Sequence, residues 1–424
     1  MHGPVRIEGQ VQRVQQPDGK LSHRKTPGAS SAISGKAKRV ETMDSSKNST
    51  KCLTLLSKLL LGLEDNNVPA SPQDREDIGR MVSTFSPQDF GELWSLANSH
   101  HVVARTFPVL HQAMLAHGQD RAAWVDHALT KERARIRHAL SFLFPICEAL
   151  EEVGDVIVIK SLDHWPDLGN DLDLYSNAEG SDVVAVMQKR FKARPDERSW
   201  GDRLANKRNF IVPGLPELVE VHISRLGQTG EQVAITNSLV SRAGTVRFGE
   251  QGCGEQGCGE QGCDGQTFRV PAPEDRLILS TLQRMYRHFY LRLCDIADSA
   301  RLVDSGTIDY SYLKNLAEAA GLWDGLATYL VTVSGYVKTY RGEGLPLPSL
   351  VTDAAHFGNE RVYFKKKFLR IPIFPQAARF YASEWKRLLL NGDLQSTMRL
   401  SLLPGLAAAA ALELKITGSD KGIW

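Results

Sequence analysis

Residues 160–175 read KSLDHWPDLGNDLDLY, and within them Asp171 and Asp173 are separated by a single leucine. The preceding VIVIK is a run of β-branched residues, and LDLYS resumes that pattern after a loop rich in Pro, Gly and Asn, so two short strands are predicted. Side chains two residues apart in a strand point to the same face. The two carboxylates therefore share a face, which costs stability unless something positive lies between them.

A third acid follows on a later predicted strand. NFIVP and ELVEVHIS also have strand patterns, and a helix over residues 182–193 is predicted before them. In ELVEVHIS, Glu220 and His222 share a face, so Glu220 approaches Asp171 and Asp173 if this strand runs beside LDLYS. Three converging carboxylates form a hard-oxygen site of the kind that suits Mg²⁺. Two such ions can hold the attacking and leaving oxygens of an in-line displacement.

Composition excludes several classes of protein. The 424 residues are 42% hydrophobic and 24% charged, with a formal net charge of +2, which is typical of a globular chain of two or three domains and gives no strong attraction to nucleic acid. The N-terminal sequence lacks an apolar core, and LPGLAAAAALEL is too short to span a bilayer, so we predict a cytoplasmic protein without a membrane contact. Cys52, Cys147 and Cys294 lie in helical patterns and are interpreted as buried thiols.

The other three cysteines lie in a tandem repeat, GEQGCGEQGCGEQGC, at residues 249–263. Cys253, Cys258 and Cys263 recur every five residues, a spacing that matches no CxxC zinc knuckle, although binding of a soft metal is an alternative. So much glycine in a perfect repeat is typical of an expanded surface loop. We predict that it forms the tip of a hairpin between GTVRF and QTFRV.

The pattern along the chain predicts an α+β protein in which a small mixed sheet is flanked by helical regions. The predicted parts are a flexible basic tail at 1–50, an N-terminal helical region at 51–150, an α/β domain with the repeat loop at 151–270, a helical domain at 271–341, and a linker with a C-terminal helical segment at 342–424.

Within the N-terminal region, Ser86 and Pro87 predict a helix start, and Asp89 in the first turn favours it through the helix dipole. Four histidines in this region have no HxxxH spacing and are interpreted as solvated or hydrogen-bonded helix residues rather than metal ligands; these are His100, His101, His111 and His117.

These elements resemble the nucleotidyltransferase fold superfamily that includes polymerase beta. Lys160-Ser161 stands where that fold has a Gly-Ser step, nine residues separate Ser161 from Asp171, and DLDL supplies the acid pair. More narrowly, the VEVH strand and the patterns LWSLANSHHVVARTFPVLHQAM and VPAPEDRLILSTLQRMYRHFYLRLCDIADSARL are similar to an uncharacterised nucleotidyltransferase family, family 5, over roughly residues 80–340. The departure is Lys160, where many relatives of the fold have glycine.

The resemblance implies a metal-dependent transfer of a nucleotidyl group from a nucleoside triphosphate (NTP) to an unidentified acceptor, which could be a small molecule, RNA or protein. It implies that Asp171, Asp173 and Glu220 are catalytic and hold Mg²⁺, two ions in all, and that Lys160 and Ser161 contact the triphosphate. Arg284, Arg287 and His288 are expected to close one side of the cleft.

Other interpretations of the same residues stay open. The acids also fit a polar strand end or a lone calcium site, although DLDLYS lacks the Gly and Glu of an EF-hand loop. His222 fits an ordinary edge-strand histidine and Arg225 a surface arginine. For the whole protein the alternatives are a toxin-like modifier of tRNA or protein, and a non-catalytic nucleotide- or partner-binding protein, which the Lys160 departure favours.

Overall fold

The computed structural model describes residues 34–62, 72–116, 121–247, 265–355, 362–365, 367–371 and 376–417. Residues 1–33 of the predicted tail and the GEQGC repeat with its three cysteines lie outside the described residues. Contacts divide the chain into two units, Met1–Ser46 and Lys47–Trp424.

The N-terminal part is helical. Its helices are α1 (Ser34–Leu61), α2 (Pro72–Ser83), α3 (Pro87–Ser99), α4 (Val103–Ala116) and α5 (Ala122–Glu151). Helix α1 begins inside the range 1–50 that the composition predicts to be a flexible tail. The predicted start of α3 is confirmed, because the Ser86 hydroxyl accepts from the Asp89 amide and the Asp89 carboxylate accepts from the Ser86 amide. These reciprocal bonds satisfy two amides that a helix leaves free at its N-terminus.

The middle of the chain forms a five-stranded mixed sheet, so the predicted α+β architecture is confirmed. Its elements are β1 (Val156–Val158), β2 (Asp171–Ser176), α6 (Gly180–Phe191), β3 (Arg194–Pro195), α7 (Trp200–Leu204), β4 (Lys207–Ile211) and β5 (Leu218–Ile223). The strand order is β1-β2-β5-β4-β3. Strands β2 and β5 are parallel, whereas the other neighbours pair antiparallel.

Alternation along β2 and β5 separates a core face from a polar face. Leu172, Leu174, Val219 and Val221 are fully buried in one apolar cluster, to which α5 and α6 also contribute. The residues between them, beginning with Asp171, point to the opposite face. The side of the sheet away from α5 and α6 is therefore where polar side chains gather.

The chain continues into helices and two small sheets. The elements are α8 (Val233–Arg242), β6 (Gly244–Arg247), β7 (Thr267–Val270), α9 (Pro273–Thr281), a π-helical segment (Leu282–His288), β8 (Tyr290–Leu291), α10 (Leu293–Asp304), α11 (Tyr310–Ala319), α12 (Trp323–Arg341), α13 (Ser349–Thr352), β9 (Tyr363–Lys365), β10 (Phe368–Arg370), α14 (Gln376–Leu390), α15 (Leu394–Ser401) and α16 (Leu403–Thr417). Across the described ranges, no helix combines the length and the apolar character needed to cross a bilayer.

The predicted hairpin around the repeat is confirmed in its strands, since β6 and β7 pair antiparallel with Arg247 opposite Thr267. The three cysteines outside the repeat, Cys52, Cys147 and Cys294, are buried free thiols, as predicted.

Shortening the repeat to one copy of GEQGC should change the free energy of unfolding by less than about 1 kcal/mol, because halving a loop changes its closure entropy by only about 0.6 kcal/mol. Urea unfolding measures this. Phe268→Ala is the contrasting variant: Phe268 is buried in β7 and packs edge-on against Phe144, so its loss should cost about 3 kcal/mol or more. A shortened chain as unstable as Phe268→Ala would show that the repeat packs on the protein or binds a metal.

Candidate functional site

The three predicted acids line one cleft. Asp173 and Glu220 are direct partners in the parallel β2–β5 pair, and Asp171 precedes Asp173 by two residues on the same face. Together they form one wall of a polar cleft of about 230 Å³. The face predicted from strand alternation is the face on which the structure brings the acids together.

Two lysines supply the positive charge that such an acid pair requires. Lys160 Nζ lies 2.5 Å from Asp173 Oδ1 and 3.7 Å from Glu220 Oε1. Lys207, buried on β4, donates to Glu220 Oε2 at 2.6 Å. Two ammonium groups therefore bind the inner oxygens of Asp173 and Glu220, whereas Asp171 is exposed at the mouth of the site.

His222 belongs to the same cluster. Its Nε2 lies 2.8 Å from Glu220 Oε1 and 3.8 Å from Asp173 Oδ1, and one ligand atom from each of these three residues lies within 4.8 Å of the others. The interpretation of His222 as an ordinary edge-strand residue is wrong, because β5 lies inside the sheet between β2 and β4.

The acids differ in how easily they ionise. Although the Asp171 side chain is exposed at the mouth of the cleft, the atoms packed around its carboxyl reduce the hydration of the charge, and with added repulsion from Asp173 and Glu220 this raises its pKa to about 6. Burial also opposes the charge on Glu220, but Lys207 and His222 outweigh it and hold the pKa of Glu220 well below its usual range. Glu220 is therefore an ionised partner of Lys207, and Asp171 is the carboxylate that the neighbouring cations neutralise least.

The Lys160-Ser161 step adopts an unusual backbone conformation. Lys160 has φ of 61°, in the left-handed region that favours glycine. Ser161 is 2% exposed; its hydroxyl donates to the Asp171 carbonyl at 3.2 Å and accepts from the Asp173 amide at 2.8 Å. The serine hydroxyl thus ties the turn to β2, and the lysine ammonium rather than the serine reaches the acids.

The opposite wall of the cleft is basic. Gln283, Arg284, Arg287, His288, Tyr290 and Arg292 contribute to it. Arg284 is fully buried, and its Nε lies 2.7 Å from Asp295 Oδ2. Within the described ranges, Arg284 Nη1 and Nη2 have no hydrogen-bond partner. Because buried Nη groups without acceptors are unfavourable, this wall is suited to an anion.

Arg284 owes its position to the π-helical segment Leu282–His288, an element that often occurs at functional sites. The segment follows α9 directly and carries Gln283, Arg284, Arg287 and His288 to the cleft. Its last residue, His288, is neutral at physiological pH, since burial and the nearby arginines lower its pKa to about 2. The charge of the wall therefore comes from the arginines.

A buried polar network supports the cleft from behind. His164 Nδ1 pairs with Asp298 Oδ2 at 2.5 Å, and Arg105 bridges Asp167 and Asp298 at 2.9 and 2.7 Å. Cys294 Sγ lies 3.8 Å from His164 Nε2. These bonds join the loop before β2 to α4 and α10, and so they fix the acid wall relative to the basic wall.

Sequence reasoning missed several members of the site. Lys207, His101, His164 and Arg292 had no motif to mark them. Lys207 lies two residues before NFIVP, and antiparallel pairing of this strand with ELVEVHIS places it opposite His222. That pairing is the signal that identifies Lys207. The sequence pattern predicts His101 in a helix, but it lies in the turn between α3 and α4, with φ of 50°. Its Nε2 is hydrogen-bonded to Arg292 Nη1 at 2.7 Å.

Comparisons of this chain with models of protein families, with curated proteins and with solved structures find no match. The interpretation of the cleft therefore depends on its own geometry and charges.

Proposed function

We propose that the protein is a metal-dependent nucleotidyltransferase, with the nucleotidyltransferase fold, that moves a nucleotidyl group from an NTP to an unidentified acceptor. The observation that carries the proposal is the cleft, which has Asp171, Asp173 and Glu220 on one wall and three arginines on the other. An NTP bound with a divalent ion requires both kinds of wall, since carboxylates hold the ion and guanidinium groups hold the phosphates.

The topology supports the same proposal. The acids lie on adjacent parallel strands, and the Lys160-Ser161 turn follows β1, with Lys160 in a left-handed conformation and the Ser161 hydroxyl hydrogen-bonded to β2. In the nucleotidyltransferase fold, a Gly-Ser step occupies the position in the chain that Lys160-Ser161 occupies here. Family 5 remains the narrower proposal, supported by the order of the motifs around the acids.

The donor set suits a divalent ion at the outer side of the cluster. Asp171 and Asp173 would hold the ion, and when bound it would neutralise phosphate charge and activate the oxygens of an in-line displacement. Glu220 suits a positioning role better, because Lys207 and His222 already bind its oxygens. Its depressed pKa also makes it a weak proton acceptor, so the structure favours another base for the acceptor hydroxyl.

The chain's own cations do most of the substrate binding in this proposal. Arg284 and Arg292 present buried nitrogens without hydrogen-bond partners among the described residues, Nη1 and Nη2 of the first and Nε of the second. Arg287 is exposed at the entrance. Phosphoryl transfer needs little covalent help, so holding the triphosphate in line supplies much of the rate.

A second candidate is a nucleotide-binding protein without turnover. The contact that favours it is Lys160 Nζ at 2.5 Å from Asp173 Oδ1, because an ammonium on that oxygen competes with a metal ion. A toxin-like protein that modifies tRNA or protein is a third candidate; it differs from the first only in the acceptor.

We expect purified protein with Mg²⁺ and a labelled NTP to release pyrophosphate slowly or to label itself when no acceptor is present. Removing the metal with EDTA should stop both reactions, because the triphosphate charge is then no longer neutralised. Each of the four NTPs is tested separately, and cell extract is added as a source of acceptors. Binding of an NTP without pyrophosphate release, even with extract, would establish the second candidate.

A further inference from the structure

The charges of the acid cluster nearly cancel before any metal is considered. Asp171, Asp173 and Glu220 bring three carboxylates, and the ammonium groups of Lys160 and Lys207 lie against two of them. A cluster built for two divalent ions would leave its carboxylates free for them. Here the ammonium groups of Lys160 and Lys207 occupy two of the positions beside the carboxylates where metal ions would bind.

We propose that the Lys160 ammonium occupies the place of one metal ion, so that the site binds a single divalent cation. The inference rests on the proposed function, since it concerns the same cleft and the same nucleotide. The three acids considered alone indicate two metal ions, whereas the proposed site holds one metal ion and the Lys160 ammonium.

The oxygens that remain support a single ion. Glu220 Oε2 accepts from Lys207 and Glu220 Oε1 lies 2.8 Å from His222 Nε2. Asp173 Oδ1 accepts from Lys160 at 2.5 Å. This leaves Asp173 Oδ2 and the exposed carboxylate of Asp171, which makes no ion pair within the described part of the chain. One or two carboxylates together with substrate phosphates are the usual ligands of one Mg²⁺.

The backbone holds the lysine in this position. A non-glycine residue in the left-handed region is conformationally unfavourable, and Lys160 adopts it with φ of 61°. The Ser161 hydroxyl fixes the next residue to β2. Lys160 Nζ also reaches Glu220 Oε1 at 3.7 Å, so the ammonium lies between Asp173 and Glu220, which would hold a second ion. A dication at that point would meet a fixed positive charge at contact distance.

The test counts bound metal and does not depend on turnover. The full chain is dialysed to equilibrium against Mn²⁺ and a saturating nucleoside triphosphate analogue with a methylene group between the α- and β-phosphorus atoms. Bound Mn²⁺ per chain is measured by electron paramagnetic resonance. We expect one ion for the wild type and two for Lys160→Met, because one ligand atom each of Asp173, Glu220 and His222 lie within 4.8 Å of one another, and the Lys160 ammonium keeps a cation from that group. Lys189→Met removes an exposed lysine from α6 and should leave the count at one.

Lys160→Gly is a second variant that should fold, because glycine tolerates the left-handed backbone and also lacks the charge. This variant should also bind two ions. Two ions in the wild type would overturn the inference and leave the proposed function standing. One ion in the wild type and in both Lys160 variants would also overturn it, since the lysine would then not decide the count. No bound ion in any of them would overturn both the inference and the metal-dependent function.

Discussion

Asp171→Asn and Asp173→Asn should each lower the rate of pyrophosphate release or self-labelling by a factor on the order of 100 or more, the size expected when an electrostatic contact to a transition state is lost. An amide has nearly the shape of the carboxylate but lacks the charge that would hold a divalent ion beside the triphosphate. The measurement is a single-turnover assay with Mg²⁺ and with the protein in excess over the labelled NTP. Both variants should respond, because the two side chains share one face of β2 at the cleft.

The fold of Asp171→Asn should survive. Reduced hydration of the carboxyl in the cleft and the neighbouring acids raise the pKa of Asp171 from 3.8 to about 6, so its charge is less favourable in the folded state than in the unfolded state. In metal-free buffer at pH 8 the variant should therefore be at least as stable as the wild type. The difference should shrink as the pH falls from about 6 and vanish below 3.8, where the carboxyl is protonated in both states.

Glu152→Gln is the matched control, since it neutralises an exposed acid paired with Arg190 at the surface, and it should react at the wild-type rate. If Asp171→Asn and Asp173→Asn also turned over at that rate, the carboxylates would not be the centre of the reaction.

Removing Arg284 should weaken nucleotide binding by about 10- to 100-fold, the equivalent of one or two charge-assisted hydrogen bonds. Its Nη1 and Nη2 have no hydrogen-bond partner in the described parts of the chain, so phosphate oxygens would satisfy them. Arg284→Met alone would leave Asp295 as a lone buried charge, which is strongly destabilising. The informative variant is therefore Arg284→Met combined with Asp295→Asn, in which both charges are neutralised.

Calorimetric titration with an NTP measures the effect without reference to turnover. Arg287→Met, at the exposed entrance, should weaken binding by a smaller factor, about tenfold. Arg194→Met is the control, because Arg194 is exposed on β3, at the end of the strand order away from β2. Unchanged affinity in the double variant, with unchanged stability, would mean that the basic wall binds something other than the triphosphate.

The acid wall was predictable from sequence because it depends on one local rule. Alternation of side chains puts Asp171 and Asp173 together on any strand, and Glu220 joins them once β5 pairs with β2. The sequence does not predict the contacts of Lys160 and Lys207 with the acids. The contact of Lys160 follows from a left-handed turn, and that of Lys207 follows from the β4–β5 register. Neither feature appears in a hydrophobic pattern.

The basic wall was predictable only in part. Arg284, Arg287 and His288 were expected to close the cleft, and they line it. The sequence pattern predicts an ordinary helix there, whereas the structure has a π-helical turn. The wider turn changes which side of the helix each arginine occupies. A period of 3.6 residues cannot anticipate it.

Acidic and apolar residues alternate along β2 and β5, so a shift in the pairing of these strands would expose apolar residues to the cleft. The residues that alternate with the acids, Leu172 and Val219, are fully buried in the apolar cluster under the sheet. If β2 slipped by one residue, its acids would turn towards that cluster and its leucines towards the cleft. A chain with this error would lose its site and expose apolar surface at once, so proteases and chaperones could recognise it as misfolded. The same alternation that places the acids thus prevents a stable but inactive form of the sheet from accumulating.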